Sequence, residues 1–194
     1  MNLMTHFRIL FVWFLILGTF VSTLSAQLIQ WSPDRDIQWS DFKGAVDRNS
    51  DRAASSNCRI DYTFKFTSKS LTTEVKCFFD PSRSWLRSRN SSEDLRIHEM
   101  GHFDICEIYG RKLRKSFEDY GKKMNVQTVE KDLSVIFNLL WAQYRERQEQ
   151  YDRETRHGMD PIAQQRWLDE IATDLKKSEA YSLFPATISP EIEM

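Results

Sequence analysis

Two histidines and a glutamate near the middle of the chain have the spacing of a metal-binding motif. They are His98, Glu99 and His102, in the pattern H-E-x-x-H. On a helix, positions 98 and 102 lie about 40° apart and one turn along, so both imidazoles can reach one ion. Glu99 lies about 100° from His98, beside the ion, where it could take a proton from zinc-bound water and deliver it to a leaving amine. The pattern therefore predicts hydrolytic zinc chemistry with Glu99 as the general base.

A catalytic zinc site needs a third protein ligand and one open position. The chain has four histidines, of which His6 lies in an N-terminal segment that is expected to be removed. The remaining histidine, His157, is the predicted third ligand. Asp152 and Glu154 stay open as alternatives, either as ligands or as partners of the second nitrogen of His157. The neighbouring Tyr151 could donate a hydrogen bond to the oxyanion of a tetrahedral intermediate, which predicts a catalytic role for it.

Three other polar residues of the motif helix are less suited to the metal. Glu107 lies about 180° from His98 on a continuous helix and faces away. Cys106 is on the same face as the motif, but ligands at i, i+4 and i+8 on one rod cannot converge tetrahedrally, so it is predicted to be core. Asp104 could support a ligand or be a solvated helix charge, and both interpretations stay open.

The N-terminus has the features of a secretory signal peptide. Residues 9–21 are an apolar run of 13 residues, and residues 22–26 supply small side chains for cleavage before Gln27. The run is too short to span a bilayer comfortably. We therefore expect residues 1–26 to be a signal peptide and the mature protein to be secreted or periplasmic, without stable membrane insertion.

Length and charge limit the remaining possibilities. The chain has 194 residues and a net charge of −1, which suits one domain, residues 27–194, with a real core. The chain has no excess of positive charge, so its composition does not indicate a nucleic-acid partner. We expect a protein or peptide substrate, and the sequence leaves the oligomeric state open.

Strand patterns fill the first half of the mature chain. Residues 58–67 and 71–79 alternate with period two around a turn at 68–70, which predicts a β-hairpin, and residues 36–39 form a shorter alternating piece. Cys58 and Cys77 would share the core face of this hairpin. A disulfide and two buried thiols are both open, because the hairpin register makes the pair diagonal.

Helical patterns fill the second half. Three helices are predicted, over residues 92–120, 128–149 and 160–181, with an extended tail after them. Ser92 is the predicted N-cap of the first, and Asp160 followed by Pro161 is the predicted start of the third. Strands followed by helices predict an α+β domain.

The motif and its surroundings resemble a family of bacterial secreted zinc-dependent proteases that are catalogued largely as a domain of unknown function. The matching pieces are residues 37–44, 77–85, 98–105 and 151–158, with Gln165 and Trp167 after them. The resemblance covers roughly residues 36–176. It implies a zincin-like peptidase domain, in which an N-terminal antiparallel hairpin or sheet packs on three long helices. The first helix would carry His98, Glu99 and His102, and the chain would bind one zinc ion (Zn²⁺).

The leading functional prediction is an exported zinc metallopeptidase that hydrolyses peptide bonds. A zinc hydrolase acting on a non-peptide bond or a cell-wall amide is a second possibility, and a zinc-binding module without turnover is a third. The intact Glu99 argues against the third, since a protein that only binds zinc has no need of a general base. Nothing in the sequence separates the first two.

Export is directly testable. We expect N-terminal sequencing of protein from culture fluid or the periplasmic fraction to begin at or near Gln27, because residues 9–21 have the length of a signal core. A mature chain that starts at Met1 and pellets with membranes would show that the segment is an anchor.

Overall fold

The computed structural model describes residues 27–88, 91–182 and 186–188, so the predicted signal peptide lies outside the described residues. Over this part the protein is α+β, as predicted, with small antiparallel sheets and three helices. In chain order the elements are β1 (Ile29–Gln30), β2 (Ala54–Ser55), β3 (Cys58–Phe66), β4 (Leu71–Phe79), β5 (Trp85–Leu86), α1 (Glu93–Gly121), α2 (Val129–Thr155), α3 (Pro161–Lys177) and β6 (Ala186–Ile188). None of the helices described here has an apolar stretch of the length that a membrane crossing requires.

The predicted hairpin is confirmed as β3 and β4, which pair antiparallel. β4 is the central strand, since β1, β3 and β6 all pair with it. Every second residue of β4 is buried against the helices, which is the alternation expected of a sheet with one covered face. Cys58 lies opposite Phe79 and Cys77 lies opposite Ile60, so the two thiols are diagonal. All three cysteines of the described chain are free thiols.

The short piece at residues 36–39 is not a strand, contrary to the prediction. Ile37 is fully buried, but Trp39–Asp41 forms a turn of 3₁₀ helix. The Asp41 carboxylate accepts a hydrogen bond from the Gln38 amide at 2.9 Å, and the Asp41 amide donates to the Gln38 carbonyl at 2.8 Å. These two hydrogen bonds satisfy the backbone within the turn, so the residues do not pair as a strand.

α1 begins where the sequence predicts. The Ser92 hydroxyl accepts a hydrogen bond from the Leu95 amide at 3.2 Å and so caps the helix. The helix packs on β3 and β4 with one side and on α2 and α3 with the other. Cys106 is fully buried, as predicted for a core residue.

The bounds of the other two helices differ from prediction at their ends. α2 continues to Thr155, six residues past the predicted end, and closes with Arg156 in the left-handed conformation. α3 starts at Pro161 after an Asp160 N-cap, as predicted, and ends at Lys177. The extra turns of α2 matter for function, because they make residues 150–155 part of a helix that faces α1.

Gly110 lies where α1 crosses β4. A Cβ atom there would stand 2.3 Å from Cys77 Sγ, so a side chain at this position forces the helix and strand apart. We expect Gly110→Ala to lower the free energy of unfolding by about 1–3 kcal/mol, measured by urea denaturation. The loss should be smaller in a Cys77→Ala background, where the sulfur is absent. Strict additivity of the two substitutions would contradict this contact.

Candidate metal centre

The two motif histidines are buried side by side on α1. His98 and His102 expose 1% and 9% of their surface, and their ring centroids lie 4.8 Å apart. Both Nε2 atoms face the same oxygen of Asp152 on α2. The distances to Asp152 Oδ1 are 3.2 Å from His98 and 3.0 Å from His102. The packing of α1 on α2 therefore brings two imidazoles and one carboxylate to a single point.

These three residues form a candidate metal-binding cluster. Their potential ligand atoms all lie within 4.8 Å of one another. The third member is thus Asp152, one of the alternatives from the sequence, and not His157, the predicted choice. The difference follows from the extra length of α2. As a helical residue, Asp152 is held on the inner face, where it is only 7% exposed.

His157 lies at the rim of the cluster. Its Nδ1 is 3.2 Å from Asp152 Oδ1, and its side chain is 42% exposed. It therefore contacts Asp152 without belonging to the group of converging atoms. Glu154, the other alternative, lies elsewhere, since its carboxylate accepts hydrogen bonds from Trp167 and Gln150.

A glutamine holds the far side of the His102 ring. Gln148 Oε1 lies 2.5 Å from His102 Nδ1, and Gln148 Nε2 donates to the His102 carbonyl at 2.9 Å. The second bond fixes which end of the amide is the donor. Gln148 Oε1 must then accept from His102 Nδ1–H, which leaves the Nε2 lone pair directed at Asp152.

A second glutamine holds His98 in the same way. Gln164 on α3 donates from Nε2 to the Tyr151 hydroxyl at 2.5 Å, and its Oε1 lies 3.0 Å from His98 Nδ1. The amide orientation again makes Nδ1 the donor of the imidazole. The Nε2 lone pair of His98 is therefore also directed at Asp152 Oδ1.

Tyr151 completes the support of His98. Its ring stacks on the imidazole with centroids 4.6 Å apart, and its hydroxyl donates to the His98 carbonyl at 3.2 Å. The side chain is fully buried, and burial raises the pKa of its hydroxyl well above the usual value. The hydroxyl proton is thus committed to a backbone carbonyl. This geometry gives Tyr151 a positioning role behind the imidazole instead of the predicted oxyanion contact.

This arrangement of lone pairs requires a cation. Two imidazole nitrogens and a carboxylate oxygen are all acceptors, and acceptors at 3.0–3.2 Å repel unless a positive charge lies between them. Either protons or a metal ion can supply it. Imidazole and carboxylate together suit a divalent transition metal.

The electrostatics of the metal-free cluster agree with this requirement. Burial lowers the pKa of His102, but the hydrogen bond that a protonated Nε2 would donate to Asp152 and the Glu99 charge outweigh it, so the net pKa is raised. Burial raises the pKa of Asp152, but the hydrogen bonds that His102 and His98 would donate with a proton on Nε2 outweigh it, and the net pKa is well below the usual range. Both shifts favour an ionised carboxylate facing a cation.

Glu99 is the buried residue with an unused polar atom beside the cluster. It is 3% exposed, and within the described chain its Oε2 has no hydrogen-bond partner. Leaving a buried polar atom unpaired costs about 1–3 kcal/mol, more when it is charged. Glu99 Oε2 is therefore a buried oxygen beside the cluster that no hydrogen bond of the described chain uses.

Two glycines allow the elements of the centre to approach each other. A Cβ at Gly101 would lie 2.3 Å from the Tyr151 hydroxyl, and a Cβ at Gly158 would lie 3.0 Å from His98 Cβ. Gly158 also has φ +78°, which favours glycine. A side chain at either position would displace the support of His98.

The cluster opens into a cleft of about 720 Å³. One wall is the extended segment 51–58, which contains β2. The other wall combines α1, α2 and the turn at 157–159, and includes His98, Glu99, His102 and Asp152.

A second cavity of about 810 Å³ lies on another side of α1 against Trp31, and it contains none of these four residues. Asp104 faces this second cavity and accepts a hydrogen bond from Trp31 Nε1 at 2.8 Å. Asp104 is therefore a hydrogen-bonded residue of this second cavity and is not one of the three cluster members.

Sequence patterns missed three residues of this centre, namely Gln148, Gln164 and Arg52. Gln148 could have been found, because Tyr144, Gln148 and Asp152 are spaced i, i+4 and i+8 on the inner face of α2. Gln164 and Arg52, whose Nη2 lies 3.0 Å from Asp152 Oδ2, have no local signal in the sequence. They reach the cluster only through the packing of α3 and of the segment before β2.

Comparisons with known proteins place this chain in a family without assigning it a reaction. No curated protein and no solved structure is detectably similar to it. Residues 31–158, about two thirds of the chain, match a family described as "Bacterial protein of unknown function (DUF922)". The matched segment contains the whole cluster and ends at Gly158, the glycine packed on His98. The chain belongs to this bacterial family, DUF922.

Proposed function

We propose that the protein is an exported zinc-dependent metallopeptidase that uses Glu99 as general base. The observation that carries the proposal is the set of three converging acceptors, His98, His102 and Asp152, with the unpaired Glu99 oxygen next to them. The proposal of export rests on the N-terminal sequence.

The donor set fits zinc. Two imidazoles and a carboxylate are ligands that zinc uses in catalytic sites, where a fourth position stays open. Tetrahedral ligands about 2.05 Å from zinc stand about 3.3 Å apart. The His98 and His102 nitrogens lie 3.2 and 3.0 Å from Asp152 Oδ1, which is close to this separation, and all three ligand atoms lie within 4.8 Å of one another. The two glutamines already hold both imidazoles in the tautomer that binds a metal through Nε2.

A bound zinc ion would supply a Lewis acid that lowers the pKa of a water molecule and polarises a scissile carbonyl. The residues of the chain do the rest. Gln148 and Gln164 keep the imidazoles oriented, and burial of the cluster excludes bulk water from all but the cleft side. Glu99 is the carboxylate that would accept a proton from the attacking water and transfer it to the leaving amine.

A zinc-binding module without turnover is a weaker explanation. A module needs the three ligands but gains nothing from a buried carboxylate oxygen without a partner, which destabilises the fold. A non-peptide or cell-wall amide substrate would use the same residues. The experiments on Glu99 below therefore include more than one class of substrate.

The choice of third ligand is testable by metal affinity. We expect the purified mature protein to contain about one zinc per chain, by the ligand count of a catalytic site. Asp152→Asn should weaken zinc binding by about 100-fold or more, since it removes the ligand charge, measured by competition with a chromophoric chelator. His157→Ala should weaken it by about 10-fold at most, because the His157 imidazole contacts the Asp152 carboxylate but is not one of the converging ligand atoms.

Glu154→Gln is the matched control for the loss of one carboxylate from the end of α2. Glu154 is bound to Trp167 and lies away from the cluster, so zinc affinity should not change. Full affinity in Asp152→Asn together with loss in His157→Ala would return the third position to His157.

The role of Glu99 is tested by a substitution that keeps its shape. Glu99→Gln should retain zinc while hydrolysis falls by about 10²-fold or more, because the amide cannot accept the proton. Cleavage would be followed by mass spectrometry on a mixed peptide library and, in parallel, on purified peptidoglycan. An unchanged rate in this variant would remove Glu99 from the mechanism. Cleavage of peptidoglycan alone, at the amide that joins its stem peptide to the sugar, would replace the peptidase by an amidase.

A further inference from the structure

An arginine crosses the cleft to the ligand carboxylate. Arg52 lies just before β2, and its Nη2 is 3.0 Å from Asp152 Oδ2. The two oxygens of Asp152 are thus divided between different partners. Oδ1 faces the imidazoles of His98, His102 and, at the rim, His157, whereas Oδ2 faces the guanidinium.

The segment that carries Arg52 is held in place by a second arginine. Arg87, after β5, donates to the backbone carbonyls of Arg52 at 3.1 Å, Ser50 at 2.6 Å and Asp47 at 3.3 Å. The Arg87 amide also donates to the Ala53 carbonyl at 2.9 Å, which continues the pairing of β2 with β5. One side chain therefore fixes residues 47–52 against the small sheet.

An ordinary surface ion pair would contribute little, typically about 0–1 kcal/mol. The contact between Arg52 and Asp152 differs from such a surface pair because one of its two partners, Asp152, is buried. The arginine side chain is 43% exposed, but the carboxylate side chain is only 9% exposed and belongs to the cluster. Because Arg87 holds the segment that carries Arg52, Arg52 in turn restrains the buried Asp152 carboxylate.

We propose that Arg52 is a positioning residue for zinc, which holds Asp152 as a monodentate ligand through Oδ1. The inference rests on the proposed zinc site but not on peptidase activity. With Oδ2 engaged by Arg52, the carboxylate cannot rotate to offer both oxygens to the ion, and the fourth zinc position stays open. Without Arg52, the freed oxygen can enter the coordination sphere or leave the carboxylate misaligned.

The first test is zinc affinity, measured by competition with a chromophoric chelator on the full mature chain. Arg52→Met should weaken zinc binding by about 10-fold or more, as expected when a partner of a ligating carboxylate is lost. Arg52→Lys, which keeps the charge and can donate to Oδ2, should recover part of the affinity. Arg48→Met removes the same charge from the same segment, where Arg48 is exposed, and it should bind zinc like the wild type.

Arg87 provides an independent variant. Arg87→Met should reproduce part of the affinity loss, because residues 47–52 lose their anchor. The double variant Arg52→Met/Arg87→Met should be no weaker than Arg52→Met alone, since both act on one contact. Additive losses would show that Arg87 acts elsewhere.

Cobalt(II) in place of zinc gives a spectroscopic signature that mere loss of stability would not produce. The visible absorption of cobalt(II) weakens when its coordination number rises from four to five. We expect Arg52→Met to show weaker bands at full occupancy, whereas Arg48→Met keeps the wild-type spectrum. Zinc affinity within about 2-fold of wild type in Arg52→Met, with an unchanged cobalt spectrum, would overturn the proposal. A wild-type protein that binds zinc but cleaves nothing would count against the peptidase alone, and one that binds no zinc would remove both.

Discussion

The structure depends on one unfavourable contact between buried hydrogen-bond acceptors. Asp152 Oδ1 lies within 3.2 Å of two imidazole nitrogens whose other nitrogens are already used as donors. In a buried place this repulsion is expensive unless a cation is present. The three helices are arranged to keep it in place. Gln148 of α2 and Gln164 of α3 each fix one imidazole, so none of these helices can shift without disturbing the centre.

The sharp connection between α2 and α3 allows Gln164 of α3 to reach the His98 imidazole. Gln164 has to return to His98 only twelve residues after Asp152. The chain achieves this with three successive left-handed residues, Arg156, His157 and Gly158, at φ 52°, 55° and 78°. A left-handed conformation costs about 1–2 kcal/mol for a residue other than glycine. The turn is closed by hydrogen bonds from the His157 amide to the Asp152 carbonyl and from the Asp160 amide to the Thr155 carbonyl. Backbone strain is thus placed directly beside the cluster, as is common at functional sites.

The features that could be predicted from the sequence are those that depend on the types and spacing of neighbouring residues. The hairpin, the Ser92 and Asp160 caps, the helix of the metal motif and the burial of Cys106 all follow from spacing and residue type. The end of α2 could not be predicted, because its inner face becomes mostly polar beside the cluster of His98, His102 and Asp152. After Tyr144 the inward positions are Gln148, Tyr151, Asp152 and Thr155, and three of these four side chains look like a solvated surface in the sequence. Hydrophobic periodicity fails where the inner face of a helix becomes polar. The prediction of His157 rested on its being the remaining histidine, and the early end predicted for α2 left Asp152 without a place on the helix.

The rotation of α1 about its own axis decides whether the motif can work, and a buried ionic network fixes it. Glu107, which faces away from the cluster as predicted, accepts hydrogen bonds from Arg111 at 2.9 Å and Arg114 at 2.8 Å. Arg114 donates to the Val75 carbonyl in β4 at 2.9 Å, and Arg111 donates to the Leu175 carbonyl in α3 at 2.6 Å. Buried ion pairs contribute little net stability, because desolvation offsets their attraction, but they can specify one arrangement among several. Here they tie the far face of α1 to the sheet and to α3. A helix held on that face presents His98 and His102 to α2 in one orientation, with Glu99 about 100° around the axis at the cleft.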